Sequence, residues 1–284
     1  MAYLAVDGDG LVYRCAFAAE KAKYLVETWE DNPQLGGVDS VLSHYNDAKS
    51  ANDKVAALNG NAVIWNRKEV DPVENCLHSI KHTLERIKNA YPSHDLAIWL
   101  SPSVGNFRDT LATRAKYKGN RDGLQRPVHY RAAIDYLVGQ HGARYTEGQE
   151  ADDAIGIMVS GNPGSVCVSN DKDLNQLPGL HFNPFPATPE GESYSVTPKQ
   201  GYGHFLTQCL TGDSVDNVPG IDGVGPVKAR NILEGAKDKR EGWSRVLKAY
   251  EASYGKDDGP RFAIETARLV WVRRKAGELW TPPT

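Results

Sequence analysis

Nine acidic residues in four short groups could do chemistry together. Asp7 and Asp9 follow the apolar run at 3–6, and Asp171 and Asp173 follow another at 165–169. Glu150, Asp152 and Asp153 open a predicted helix, while Asp213 and Asp216 sit in Gly-Asp-Ser-Val-Asp-Asn after a further one. In open α/β sheets, ligands bind beyond the carboxyl ends of the strands. Carboxylates converging there repel one another strongly at low dielectric and need a cation among them. Hard oxygen donors without Cys or His favour Mg²⁺ or Mn²⁺. Two such ions about 4 Å apart activate water and stabilise the leaving oxygen of a phosphodiester. Taken singly, each acid is as readily a helix cap or turn residue. Four groups, each at a predicted strand end or helix start, point to a shared site.

A basic stretch complements the acids. Arg114, Lys116, Lys118, Arg121, Arg126 and Arg131 are interrupted by Tyr117 and Tyr130. Cations beside aromatic rings suit phosphates and stacked bases, although a charge run alone is more often a solvated loop. A second element, Pro-Gly-Ile-Asp-Gly-Val-Gly-Pro-Val-Lys-Ala at 219–229, is more specific. Gly220, Gly223 and Gly225 ahead of a helix expose backbone N–H groups at its N-terminus, a phosphate site without base readout, and Lys228 and Arg230 add charge.

The elements that must position these groups read as a mostly parallel sheet. Apolar runs at 3–6, 96–100 and 165–169 alternate with helical patterns. Asp71, Pro72 and Glu74 mark a helix start, and Val73, Leu77, Ile80, Leu84 and Ile87 follow as an amphipathic stripe. Segments 23–29 and 61–66 are expected to pair as a hairpin around a polar helical segment. Past about 198 the strand signals fade, and helices are expected from Pro226 and over 241–254 and 259–275. The 284-residue chain carries a net charge of −3, so binding a polyanion would depend on local charge. No apolar run approaches the roughly 20 residues of a membrane span, and no secretory signal is expected at the start. Four separated cysteines argue against zinc or a disulfide framework and suit a reducing cytoplasm, the host's if the chain is phage-encoded.

These blocks together resemble the 5′-nucleases, a family that includes flap endonucleases and phage 5′→3′ exonucleases. Val-Asp-Gly-Asp-Gly-Leu-Val-Tyr-Arg at 6–14 is similar to the first motif, Tyr-Lys-Gly-Asn-Arg at 117–121 to the gateway, and Glu150-Ala-Asp-Asp and Asn-Asp-Lys-Asp at 170–173 to the central acidic motifs. The last acidic motif joins 219–229, which resembles the helix-three-turn-helix. The resemblance implies a resolvase/PIN-like α/β core over 1–197 with a compact gateway near 104–131, and a helical DNA-binding module over 198–284. It makes Asp7, Glu150, Asp152, Asp153, Asp171, Asp173, Asp213 and Asp216 metal ligands. Arg14, Lys118 and Arg121 would face the reacting phosphate, and Tyr117 the terminal base. Arg126, Gly220, Gly223, Gly225 and Lys228 would bind DNA, with K⁺ at the helix-three-turn-helix. The implied activity is monomeric 5′→3′ hydrolysis of duplex DNA at 5′ ends, nicks, gaps or flaps, with RNA–DNA hybrids as further substrates. The short gateway is most similar to podovirus-type exonucleases.

One departure stands out. The family has an acid just after its second strand, whereas this chain reads Leu-Ser-Pro-Ser at 100–103 with no acid between Leu96 and Phe107. One metal site is therefore expected to be weakened, with Asp9, Ser101 or Ser103 as substitutes. Two alternatives accompany this reading: a haloacid-dehalogenase-like phosphatase using Asp7 and Asp9, and a DNA binder on the same fold with a decayed site.

Overall fold

The computed structural model describes residues 1–32, 37–45, 47–57, 62–185 and 191–284. The chain opens with β1 (Tyr3–Asp7), α1 (Gly8–Ala18), β2 (Glu20–Asn32), β3 (Gly37–Tyr45), α2 (Ala48–Ala57), β4 (Ala62–Val70) and α3 (Val73–Ala90). Next come β5 (Asp95–Leu100), the short α4 (Arg108–Leu111), α5 (Tyr130–His141), β6 (Arg144–Tyr145) and α6 (Ala151–Gly161). They are followed by β7 (Val166–Val168), β8 (Gly179–Asn183), β9 (Glu192–Val196) and α7 (Pro198–Thr211). The last elements are β10 (Gly212–Asp213), β11 (Val218–Pro219), α8 (Pro226–Leu233) and α9 (Lys239–Val270).

Packing divides the chain into two compact units along lines other than residue 197. One comprises Met1–Leu11, Lys81–Gln125 and Asp135–Thr284; the other comprises Val12–Ile80 with Arg126–Ile134. The expected 198–284 module stays with the sheet because its buried side chains reach back into it: Val272 packs with Ala5, Ile155 and Cys167.

The first unit is built on a six-stranded sheet of order β6-β5-β1-β7-β8-β9. All pairs are parallel except β8 with β9. The expected strands at 3–6, 96–100 and 165–169 are β1, β5 and β7, which are adjacent in the sheet. β1 lies between β5 and β7, with Leu4 opposite both Leu96 and Val166. Leu4, Ala5 and Val6 are buried, as a strand covered on both faces requires. A second cluster joins Phe205, Leu206, Trp243, Tyr250, Trp271 and Trp280 among the C-terminal helices. The helix expected from Pro226 is α8. The two expected over 241–254 and 259–275 abut as α9, broken at Gly255, whose φ of 82° no helix accommodates. The helix stops at Val270, so residues 271–275 are not helical. There the chain turns extended and buries Trp271 and Val272.

The second unit carries a three-stranded antiparallel sheet of order β3-β2-β4. The expected pairing is present, with Lys23 opposite Arg67 and Thr28 opposite Ala62, and α2 is the polar helix between; Asn61 lies outside the described residues. β3 adds a strand on the other side of β2, from Tyr24 opposite Tyr45 to Asn32 opposite Gly37.

Candidate active site

Backbone direction collects the acids of the first unit. β1 ends at Asp7 and β7 ends three residues before Asp171. Asp7 is buried; its Oδ1 accepts the Gly10 N–H at 2.8 Å and its Oδ2 accepts the Ser169 hydroxyl at 2.9 Å. A Cβ on residue 10 would stand 2.5 Å from Asp7 Oδ2, so a side chain there would displace the carboxylate. Burial pushes the Asp7 carboxyl up to about 6, with Asp9 and Asp171 adding to the rise. Asp152 is raised well above the ordinary range by burial, then by Asp7, Asp171 and Glu150. Asp173 reaches about 7 through burial, Asp171 and a hydrogen bond with Asp213. Ser169 Oγ joins Asp7 to the Asp171 N–H at 2.9 Å, and Asp171 Oδ1 accepts the Asp173 N–H at 2.8 Å, so these acids gather beyond β1 and β7, with Asp152 and Asp213 within repulsive reach of them.

No acid directly follows β5, and a carboxylate from the end of β1 reaches that place. Asp9 leans across to β5, where its Oδ2 accepts the Ser101 backbone N–H at 2.9 Å. Burial raises the Asp9 carboxyl, the Ser101 hydroxyl and N–H lower it, and Lys118 lowers it further. Ser101 Oγ also accepts the Ala151 N–H at 3.0 Å, tying β5 to the start of α6.

Three expected ligands are engaged by cations of the protein itself: Asp153, Asp216 and, through Lys118, Glu150. Asp153 is fully buried and forks onto Arg108, with NH1 at 2.6 Å from Oδ2 and NH2 at 3.0 Å from Oδ1. It also accepts the N–H groups of Glu150 and Arg273. Successive helical residues point about 100° apart, so Asp152 faces the acids and Asp153 faces away. Asp216 joins the gateway: its Oδ1 accepts Arg121 at 2.5 Å, and Lys118 Nζ stands 3.7 Å from Oδ2.

The gateway itself is ordered by these pairs. Lys118, left-handed at φ 53°, donates its ammonium to Glu150 and its N–H to the Asp216 carbonyl at 2.8 Å. Burial opposes its charge, but Glu150 and Asp216 outweigh this and hold its pKa above the ordinary lysine value. Arg121 ends the short 3₁₀ turn at 119–121. The expectation for Tyr117 is corrected. Its ring is 6% exposed within the second hydrophobic cluster, so no base can stack on it. Its hydroxyl stands 3.0 Å from Glu150 Oε2 and 2.8 Å from Asp216 Oδ2, and its one proton serves one of them at a time.

The glycine-rich element separates into two parts. Gly220 is a packing residue, since a Cβ there would stand 2.6 Å from the Leu210 carbonyl. Gly223 takes φ +72°, Gly225 caps α8, and Gly223, Gly225 and Lys228 are exposed together at the N-terminus of that helix. Arg14 and Arg126 are exposed residues of the second unit, where Arg126 lies 4.6 Å from the Tyr130 ring centre. The sequence reading overlooked Arg108, which also donates to the carbonyls of Leu269 and Trp271 at 2.8 Å. It overlooked Ser169 and Gln208 too; the latter donates to Asp173 at 2.7 Å.

Among the described residues, no three His, Cys, Asp or Glu side chains stand close enough to clasp one ion. The donor set nevertheless fits hard cations: raised carboxylates facing one another lack the positive charge that would hold them ionised. They would have to draw together to bind one.

No family model matches the chain. A flap endonuclease Xni of Vibrio cholerae is 32% identical over 219 residues, which covers 66% of this chain and 75% of that protein. The chain belongs to the 5′-3′ exonuclease and flap endonuclease family. Another relative, a 5′-3′ exonuclease of Buchnera aphidicola, is 28% identical over 187 residues, 60% of this chain and 63% of that one. A DNA polymerase I of Rhizobium leguminosarum is 40% identical over 167 residues, 50% of this chain but 15% of the polymerase. Like it, the other polymerase relatives are spanned for less than a fifth of their length. The fold is that of the family: T5 5′-exonuclease, solved with zinc bound, superposes with a TM-score of 0.52 at 18% identity over 68% of this chain and 80% of that one. Among the described residues no helix is long and apolar enough to cross a membrane.

Proposed function

We propose that this chain is a divalent-cation-dependent 5′-nuclease that hydrolyses phosphodiesters at 5′ ends of duplex DNA and at nicks, gaps and flaps, with RNA in RNA–DNA hybrids as a further substrate. The observation carrying this reading is the convergence of Asp7, Asp152, Asp171, Asp173 and Asp213 beyond β1 and β7, with Lys118 alongside. Family relatives named flap endonuclease and 5′-3′ exonuclease support it, as does a T5 flap endonuclease solved with DNA and metal ions.

In this reading the converging acids hold Mg²⁺ or Mn²⁺, which when bound supply an activated water and stabilise the leaving oxygen. Asp9 stands in for the acid absent after β5. Lys118 and Arg121, now paired with Glu150 and Asp216, exchange those carboxylates for the scissile phosphate. Charge building up on the phosphate in the transition state then meets a fixed ammonium. The N-terminus of α8, with Lys228, grips a phosphate of the duplex away from the cut. The protein acts as a monomer. Digestion of 5′- and 3′-labelled duplex, nicked and flapped DNA with Mg²⁺ tests this. Short products from the 5′ end are expected; release from the 3′ end would overturn it.

A further inference from the structure

The carboxylate of Asp173 is held by an amide whose orientation is dictated from the far side of the fold. Gln176 is fully buried at the end of the 3₁₀ turn 172–176. Its Oε1 accepts the Val272 backbone N–H at 3.3 Å, and its Nε2 donates to the Val270 carbonyl at 2.6 Å. A backbone N–H can only donate and a carbonyl can only accept, so these contacts allow one amide orientation. The second Nε2 proton of Gln176 is then aimed at Gln208 Oε1, 2.6 Å away. That contact fixes Gln208 in turn, since its oxygen must face Gln176 and its NH₂ must face Asp173 Oδ1 at 2.7 Å. Arg274 closes the loop by donating to the Gln176 carbonyl at 2.8 Å.

We propose that Gln208 is a positioning residue for cation binding: the segment at 270–274 sets the polarity of Gln176, Gln176 sets Gln208, and Gln208 turns the Asp173 carboxylate toward Asp213. This deepens the proposed function and rests on Asp173 being a cation ligand there. A donor fixed on one carboxylate oxygen limits rotation of the group and leaves its other oxygen free to share a cation with Asp213. An apolar residue at 208 would leave Asp173 free to turn. Partners of this kind, behind a ligand, typically change metal affinity 10–100-fold when removed.

Two measurements on the full chain decide it. In calorimetric Mn²⁺ titration, Gln208→Leu should bind about tenfold more weakly than the wild type while its circular dichroism is unchanged. Its kcat should fall at low Mg²⁺ and recover at high Mg²⁺, with the KM for DNA unmoved, a split that loss of packing alone does not produce. In the wild type, where folding is not at issue, the assigned side-chain NH₂ resonances of Gln208 should shift during Mg²⁺ titration with the midpoint of binding. Wild-type Mn²⁺ binding together with an unaltered Gln208→Leu affinity, or Gln208 resonances that stay fixed at saturation, would overturn the relay alone. A wild type that binds no Mn²⁺ would overturn the assignment of Asp173 as a ligand, and the relay's purpose with it.

Discussion

Asp9 and Tyr117 show how far single residues depend on their surroundings. Asp9 sits two residues past the strand end, where its carboxylate spans to the Ser101 N–H just beyond the neighbouring strand. Asp9→Asn keeps an oxygen able to accept that N–H but removes the charge. The fold should therefore persist, while the Mg²⁺ concentration for half-maximal cleavage rises about tenfold, the equivalent of about 1.4 kcal/mol. An unchanged Mg²⁺ dependence would mean Asp9 takes no part. For Tyr117 the expected outcome is a null effect on affinity. Because its hydroxyl faces Glu150 and Asp216 and not the duplex, Tyr117→Phe should alter duplex affinity by less than about twofold in fluorescence anisotropy, a change of about 0.4 kcal/mol at most. A large loss would mean that the hydroxyl takes part in holding DNA. The sequence could not show this burial, since the partners of the hydroxyl lie 33 and 99 residues away. Asp152 and Asp153 were separable in principle, because adjacent helical positions cannot face one site.

At the scale of elements, the start of α6 is held by Arg108. The guanidinium meets both Asp153 oxygens and two carbonyls at the end of α9, so one buried cation joins α4, α6 and α9. Arg108→Ala leaves the Asp153 carboxylate buried and unpaired, and breaking such a pair typically costs about 3–5 kcal/mol. Urea denaturation should read a loss of that size; a change below about 1 kcal/mol would place the stability of this region elsewhere. α8 makes a different prediction. Lys228→Ala should weaken DNA binding and reduce the slope of log affinity against log salt by about one, with the single-turnover rate at saturating DNA unchanged. A lower rate at saturation would move Lys228 into the reaction. The helices and central strands were legible because their apolar spacings are local: α3 begins at Val73 and α8 at Pro226, as the capping residues and the proline indicate. β3 was not, since Asp39, Ser40 and Ser43 interrupt its apolar pattern. Nor was the extended run after Val270, whose conformation is set by Gln176 and Asp153 far away in sequence.

For the whole molecule, the governing quantity is the unneutralised charge at the carboxyl ends of the strands. A net charge of −3 conceals it, because the acids that matter are gathered while the bases are spread or paired. Removing one of these acids therefore has opposite consequences for stability and for chemistry. Asp171 raises the carboxyl groups of Asp7, Asp152 and Asp173, so Asp171→Asn relieves all three and should increase the melting temperature of the cation-free protein. Under the proposed function the same variant also loses a cation ligand, and cleavage should be lost with it. The most direct test is single-turnover cleavage of a 5′-labelled duplex by the wild type and Asp171→Asn at saturating Mg²⁺, with DNA affinity measured in parallel. The account predicts 5′-terminal products from the wild type, none from the variant, and DNA affinity in the variant equal to or tighter than wild type. Cleavage by Asp171→Asn at the wild-type rate would contradict it.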